Sequence, residues 1–197
     1  AGAAGVGAAL HVVLSGSLPM VVFLVAFGLP AVAIVATGLR GGRIDLSLPL
    51  AMLGLWPAIV ILGAAVAFAG MPGGLGGAIR TAVEQGVQRM GGLPDALPVD
   101  ELVRVMAAAL GFWGAISWSV NGAAAQSALA RSGLAIAPTP RWSEARLPGW
   151  YPVLPGAGAA AWLLFGGEGE VVSLSLLLVL LLPVFVQGIA AVHRYSA

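Results

Sequence analysis

The chain has 197 residues, 59% of them hydrophobic and only 9% charged, and its formal net charge is +1. A soluble domain is normally about a quarter charged, so this composition excludes a water-soluble protein and indicates one that uses lipid as its solvent. The small net charge gives no reason to expect nucleic acid as a partner, and the absence of cysteine excludes disulfides and thiolate metal sites.

A membrane-spanning helix needs about 20 apolar residues. By that length, the first part of the chain predicts three spans. The first covers residues 1–17 and begins without a basic leader, so we expect further residues to precede it. The second covers residues 18–39, with Pro30 as its kink, and the third covers residues 46–70. A polar turn, residues 40–45, joins the second span to the third.

Residues 75–90 differ from the spans because they are amphipathic. Apolar or small residues recur at the i, i+3, i+4, i+7 spacing of one helical face, and charged and amide side chains occupy the other face. The segment is too polar to cross a membrane, so we expect a helix that lies at the membrane surface with its apolar face down. An ordinary connecting helix packed on the bundle is the alternative.

Three more spans are predicted in the second half. The fourth runs from Pro98 to Ser132, longer than a bilayer requires, so it should tilt or project. The fifth, residues 152–165, is short and follows Trp150 and Tyr151, which we place at the membrane interface. A tight turn at Glu168 and Glu170 precedes the sixth span, residues 171–192.

These elements predict an all-α, polytopic membrane helix bundle with about six transmembrane helices and one interfacial amphipathic helix, in a single domain over residues 1–197. Arginines concentrate in the turn after the second span, the loop after the fourth and the C-terminus. The positive-inside rule therefore places both termini in the cytoplasm. The absence of lysine beside abundant alanine and glycine is typical of GC-rich bacterial genomes. We accordingly expect a bacterial cytoplasmic (inner) membrane.

Catalytic signatures are missing from the sequence. It has two histidines, no HExxH, no GxSxG and no GK[ST] phosphate loop. Acidic residues do not occur in the middle of a predicted span, which argues against a proton or ion relay. We predict that the protein is not an enzyme and needs no metal or cofactor.

Polar residues at membrane depth are the candidates for ligand binding. Ser117 and Asn121 share one face of the fourth span, and Trp118 and Gln126 lie on a neighbouring row. His11 lies in the first span. Such side chains must face protein or a cavity, so they either join helices or line a solute site. We rank Asn121 first and expect it to face the bundle interior.

The fourth span and the loop after it carry a family resemblance. Asn121-Gly122, Gln126, residues 130–133, Pro138-Thr139-Pro140, residues 146–148 and Trp150 resemble the YybS-like family of predicted bacterial membrane proteins, whose function is unknown. Members are usually longer at the N-terminus, which implies that earlier helices precede Ala1. The family is distantly similar to the substrate-binding membrane subunits of energy-coupling-factor vitamin transporters, although no vitamin-binding motif can be matched here.

Two functions follow as hypotheses. The first is a small-solute-binding subunit of a transporter, with the solute and other membrane subunits as partners. The second is a non-catalytic structural or assembly subunit of a larger membrane complex, to which the small-residue spacing in residues 1–9 would contribute a contact. A central polar cavity open to the outside would favour the first hypothesis, and a dry, close-packed interior would favour the second.

Overall fold

The structure is a computed structural model that describes residues 18–91 and 98–196. Seven α-helices fall within these residues, with a π-helical segment (Leu24–Gly28) between the first two and a 3₁₀ turn at Trp142–Glu144. The helices are α1 (Leu18–Phe23), α2 (Leu29–Gly38), α3 (Ser47–Ala67), α4 (Gly74–Arg89), α5 (Val99–Arg131), α6 (Val153–Leu164) and α7 (Glu168–Ser196). The predicted all-α membrane bundle is confirmed. The predicted span over residues 1–17 lies outside the described residues.

Four helical stretches among the described residues are long and apolar enough to cross a membrane. They are Met20–Gly38, Ser47–Ala67, Val99–Arg131 and Gly169–Arg194. α6 is also apolar but has only 12 residues, about 18 Å at the standard helical rise, against a hydrocarbon core of about 30 Å. The predicted fifth span is therefore a helix that falls short of the full core.

The second predicted span is one continuous helix, residues 18–38, whose backbone hydrogen-bond pattern changes ahead of Pro30. Leu29 N–H donates to Leu24 O in the π-helical pattern, and Pro30 has no N–H to donate to the turn before it. Two tryptophans donate to carbonyls of this segment, Trp56 Nε1 to Val25 O and Trp118 Nε1 to Ala26 O, each at 3.0 Å. Among lipid tails such carbonyls find no water, so the two indoles satisfy the backbone at the proline.

The polar turn predicted between the second and third spans is a short β-hairpin, with two residues in each strand and two in the loop. Strand β1 (Leu39–Arg40) pairs antiparallel with β2 (Arg43–Ile44). Gly41 and Gly42 between them have φ of 54° and 75°, the left-handed conformation that a tight hairpin needs at both positions. Asp45 then accepts hydrogen bonds from Ser47 N at 2.8 Å and Ser47 Oγ at 2.7 Å, at the start of α3.

The bundle is built around α7, which packs against α3, α5 and α6. At the centre, Gly54 of α3 faces α7 so closely that a Cβ there would lie 2.7 Å from Val179 O and 2.9 Å from Pro183 Cγ. Small residues at such crossings let membrane helices approach and gain van der Waals contact. Tyr151 is fully buried beside them and donates from its hydroxyl to Leu180 O at 3.1 Å. Its ring therefore faces the bundle interior, whereas the neighbouring Trp150 is 49% exposed.

The amphipathic helix forms where the sequence predicts it, at Gly74–Arg89. Leu75 is buried in the core cluster, Ile79 packs against that cluster, and a Cβ at Gly76 would lie 3.3 Å from Val171 Cγ2 of α7. The first half of its apolar face thus packs on the bundle, as in the connecting-helix alternative. An ion pair between Arg80 and Asp100 ties this helix to the start of α5.

The turn before the last helix also differs from prediction. Glu168 and Glu170 lie in the first turn of α7, and the chain reverses instead at Gly166-Gly167, where Gly167 has φ of 62°. Acidic residues at a helix start are stabilised by the helix dipole, so the helix extends back to include them. Glu170 forms an ion pair with Arg104 of α5.

Candidate functional site: an apolar groove at the arginine-rich end

A groove of about 400 Å³ lies between the end of α2, the start of α3, the second half of α5 and the loop that follows α5. Most of its lining is aliphatic or aromatic. Helices α2 and α3 and the hairpin contribute Ile34, Val35, Gly38, Leu39, Ile44, Leu46, Pro49, Leu50 and Leu53, and α5 and its loop contribute Trp118, Ser119, Gly122, Ala123, Ala125, Gln126, Ser127, Leu129, Ile136, Ala137, Thr139, Pro140 and Trp142. Val35 and Ile136 are 64% and 79% exposed, so the groove is open along one side.

Two amide side chains hold the loop that forms one wall of this groove. Gln126 Nε2 of α5 donates to Ala137 O at 3.0 Å, and Gln187 Oε1 of α7 accepts from Leu147 N at 2.9 Å. Ala137 and Ala145 of the loop are 5% and 3% exposed, so the loop packs as part of the bundle. Gln126 thus joins α5 to the loop that follows it and not to another helix, and it also lines the groove.

A second, smaller cavity of about 210 Å³ adjoins the groove and is polar. The two cavities share Ile44, Leu46 and Pro140. The smaller one is lined further by Asp45, Ser47, Arg141, Glu144, Ala145 and Arg146. The hairpin with its two arginines and the loop after α5 therefore meet at the same end of the bundle, as the arginine counts predict.

Charges at this end are only partly paired. The hydrogen bonds from Ser47 lower the pKa of Asp45 below its ordinary value, with a smaller contribution from Arg40, so this carboxylate is engaged within its own turn. Arg141 and Glu144 lie 3.6 Å apart, with side chains 81% and 69% exposed. Such an exposed pair is weak because water and salt screen it.

The comparisons with known proteins give one match. Residues 82–197 match the family model described as "Predicted membrane protein (DUF2232)". The chain belongs to this family. No curated protein matches, and no solved structure does.

Only part of the groove lining lies within the residues that match the family. It covers α5, the loop after it, α6 and α7, so Trp118, Gln126 and Trp142 lie inside the matched region. The lining that comes from α2, the hairpin and the start of α3 lies before residue 82. Whatever the groove binds is thus contacted by residues inside and outside the family match.

The five candidate residues from the sequence do not converge on one site. Trp118 and Gln126 line the groove, and Ser117 beside them is half-buried but outside it. Asn121 is exposed and does not line the groove, so the expectation that it faces the bundle interior is wrong. His11 lies outside the described residues.

The orientation of Asn121 could not be predicted correctly because α5 has no continuous polar face to show which side of the helix faces inward. The inward row is Gly111, Ala115, Trp118, Gly122 and Gln126, spaced by four, three, four and four residues. Asn121 lies about 100° from Gly122 around the helix. The aliphatic lining from α2 and α3 carries no local sequence signal, because apolar residues face both lipid and cavity in a membrane protein.

Metal binding has no support in this part of the chain. In residues 18–91 and 98–196, no group of three His, Cys, Asp or Glu side chains is placed to hold an ion. The groove lining offers the Gln126 amide and the hydroxyls of Ser119, Ser127 and Thr139 as polar contacts, beside a mostly apolar surface.

Proposed function

We propose that this protein is a non-catalytic, ligand-binding membrane subunit, as in a transporter, and that it takes a small, largely apolar molecule into the groove. The observation that supports this is the groove itself. Its volume of about 400 Å³ lies within the range of about 300–1,000 Å³ typical of small-molecule sites. Its mostly apolar lining with a few polar groups is also typical of such sites.

The groove changes the class of ligand from the one that a polar site around Asn121 would take. A polar solute would need several convergent donors and acceptors, because each unpaired polar group on a buried ligand costs free energy. The groove offers mainly Gln126, Ser119, Ser127 and Thr139. An apolar or amphipathic molecule fits this lining better.

The proposal also includes the membrane in which the subunit lies and its orientation there. We place it in a bacterial inner membrane with both termini and the groove on the cytoplasmic side, on the strength of the arginine distribution. A YybS-like identity and a distant kinship with energy-coupling-factor substrate-binding subunits are compatible with a ligand-binding bundle. A mouth on the arginine side means that the ligand of this groove enters from the cytoplasmic leaflet.

Gly122→Phe tests the groove directly. Gly122 lines it, and a Cβ there would contact nothing within 4 Å, so a larger side chain can grow into the groove without disturbing the fold. Ala124→Phe is the matched control, because Ala124 is exposed on the same helix and is not part of the lining. Both proteins are purified in mild detergent, and retained small molecules are measured by mass spectrometry.

We expect Gly122→Phe to lower retention of the native ligand by about tenfold or more, which corresponds to at least about 1.4 kcal/mol of binding free energy. Ala124→Phe should retain it. Equal retention in both variants and in the parent protein would show that the groove is not a ligand site.

A structural or assembly subunit is the second candidate, and one observation favours it. Asn121 is exposed within a candidate span whose apolar window is only 17% buried. An amide in that position is more stable against a partner helix than among lipid tails. If so, Asn121→Ala should lose co-purifying membrane proteins in the same preparations while ligand retention stays unchanged.

A further inference from the structure

The apolar groove adjoins the smaller cavity that contains arginines, and this arrangement indicates the kind of ligand that fits both. The two cavities share three residues, so a single molecule can occupy both. One part of it would meet aliphatic side chains, and the other would meet Arg141 and Arg146. The surface therefore suits an amphiphile with an anionic head.

Charge complementarity sets the sign of that head. Arg40 and Arg43 lie in the hairpin beside the cavity, and Arg141 and Arg146 lie in its wall. Two carboxylates oppose these four arginines, Asp45 and Glu144, and Asp45 already accepts both hydrogen bonds from Ser47. Within the described part of the chain, Arg43 and Arg146 form no ion pair.

The length of the groove matches one leaflet of a bilayer. Along α5 its lining runs from Trp118 to Leu129, about 16 Å at the standard rise, which is close to half of the about 30 Å hydrocarbon core. Trp142 at the mouth is 43% exposed, and half-exposed tryptophans are typical of the interface between membrane and water.

We propose that the groove binds an anionic phospholipid of the cytoplasmic leaflet, with one acyl chain along α5 and the phosphate between Arg141 and Arg146. This inference rests on the proposed function, because it names the ligand of the same groove. Arginine suits the phosphate because its planar guanidinium donates two parallel hydrogen bonds to such an oxyanion.

The head group determines which lipid binds. An acyl chain gains little on leaving the bilayer, because the groove lining is as apolar as the surrounding lipid tails. Selection among lipids must therefore come from the arginines, each of which contributes about a fivefold preference for an anionic over a neutral surface.

The test uses the full chain in bilayer discs that contain equal amounts of phosphatidylglycerol and phosphatidylcholine. The protein is extracted into mild detergent, and retained lipid is measured by native mass spectrometry. We expect phosphatidylglycerol to be enriched over phosphatidylcholine. Arg146→Gln should lower that enrichment by about fivefold, and Arg141→Gln combined with it should lower it further.

Three comparisons make the outcome specific. Arg89→Gln, in the helix α4 away from both cavities, should keep the enrichment, and Arg146→Lys should keep part of it. Gly122→Phe should lower total retained lipid, with Ala124→Phe as its control. Unchanged enrichment in the arginine variants, with lipid still displaced by Gly122→Phe, overturns the anionic-lipid inference and leaves the groove standing. Unchanged retention in Gly122→Phe overturns both proposals.

Discussion

Gly54 is the residue on which the central helix crossing depends most directly. A Cβ at this position would overlap the Tyr151 hydroxyl and lie 2.7 Å from Val179 O. Overpacking a well-filled interior typically costs about 1–3 kcal/mol. We therefore expect Gly54→Ala to lower the unfolding free energy by about that amount, measured by denaturation in mixed micelles.

Gly63 provides the control for this prediction on the same helix. It is exposed, and a Cβ there would meet nothing within 4 Å. Gly63→Ala should leave the unfolding free energy unchanged or slightly raised, because alanine favours helix over glycine. Equal effects at both positions would mean that α3 and α7 do not cross as closely as described.

Single residues also mark the limit of prediction from this sequence. The sequence places Trp118 and Gln126 on one row of the fourth span, yet it ranks Asn121, on the neighbouring row, above them. The expectation is that an amide inside a span faces the bundle interior, but Asn121 is exposed in the structure. In a helix that is apolar on all sides, orientation is fixed by contacts with other helices, which one sequence does not display.

At the scale of elements, the boundaries of the long helices follow from hydrophobicity and turn residues. The predicted helices over 75–90 and 98–132 are observed at Gly74–Arg89 and Val99–Arg131. The contacts that position them are distant in the chain: 31 residues separate Trp56 from Val25, 92 separate Trp118 from Ala26, and 40 separate Leu147 from Gln187. A local sequence pattern does not show which distant residues form a hydrogen bond, so the groove between these elements could not be predicted.

The hydrogen bonds to the π-helical segment before Pro30 should contribute to the stability of the protein. Trp118→Phe removes the donor to Ala26 O while keeping an aromatic ring of similar shape. A lost hydrogen bond inside a membrane costs about 1 kcal/mol, so we expect a modest drop in unfolding free energy of that size. Trp113→Phe on the same helix is the control, since Trp113 is 66% exposed, and it should have little effect.

Trp56→Phe extends the same measurement to the second carbonyl, Val25 O. Because both indoles serve one irregular turn, the double variant with Trp118→Phe should loosen the helix at Pro30 by more than the sum of the singles. If Trp118→Phe and Trp113→Phe behaved alike, the indole donors would not be what stabilises the irregular turn.

The whole molecule has two ends of different character. At one end, the hairpin and the loop after α5 bring arginines together around the smaller cavity. At the other, two arginines form ion pairs with acids, Arg80 with Asp100 and Arg104 with Glu170. The positive-inside rule counts arginines and gives little weight to acids, so the predicted orientation depends on the larger number of arginines at the first end.

Orientation can be tested because the chain has no cysteine, so a single introduced thiol is the sole target of a maleimide. Ser132→Cys places one at the arginine-rich end, and Gly166→Cys places one in the turn before α7. Gly166 is preferable to Gly167, whose φ of 62° would strain a side chain. With an impermeant reagent on intact cells, we expect Gly166→Cys to be labelled and Ser132→Cys to react only after permeabilisation. The reverse pattern would place the groove at the outer surface, and its lipid would then come from the outer leaflet.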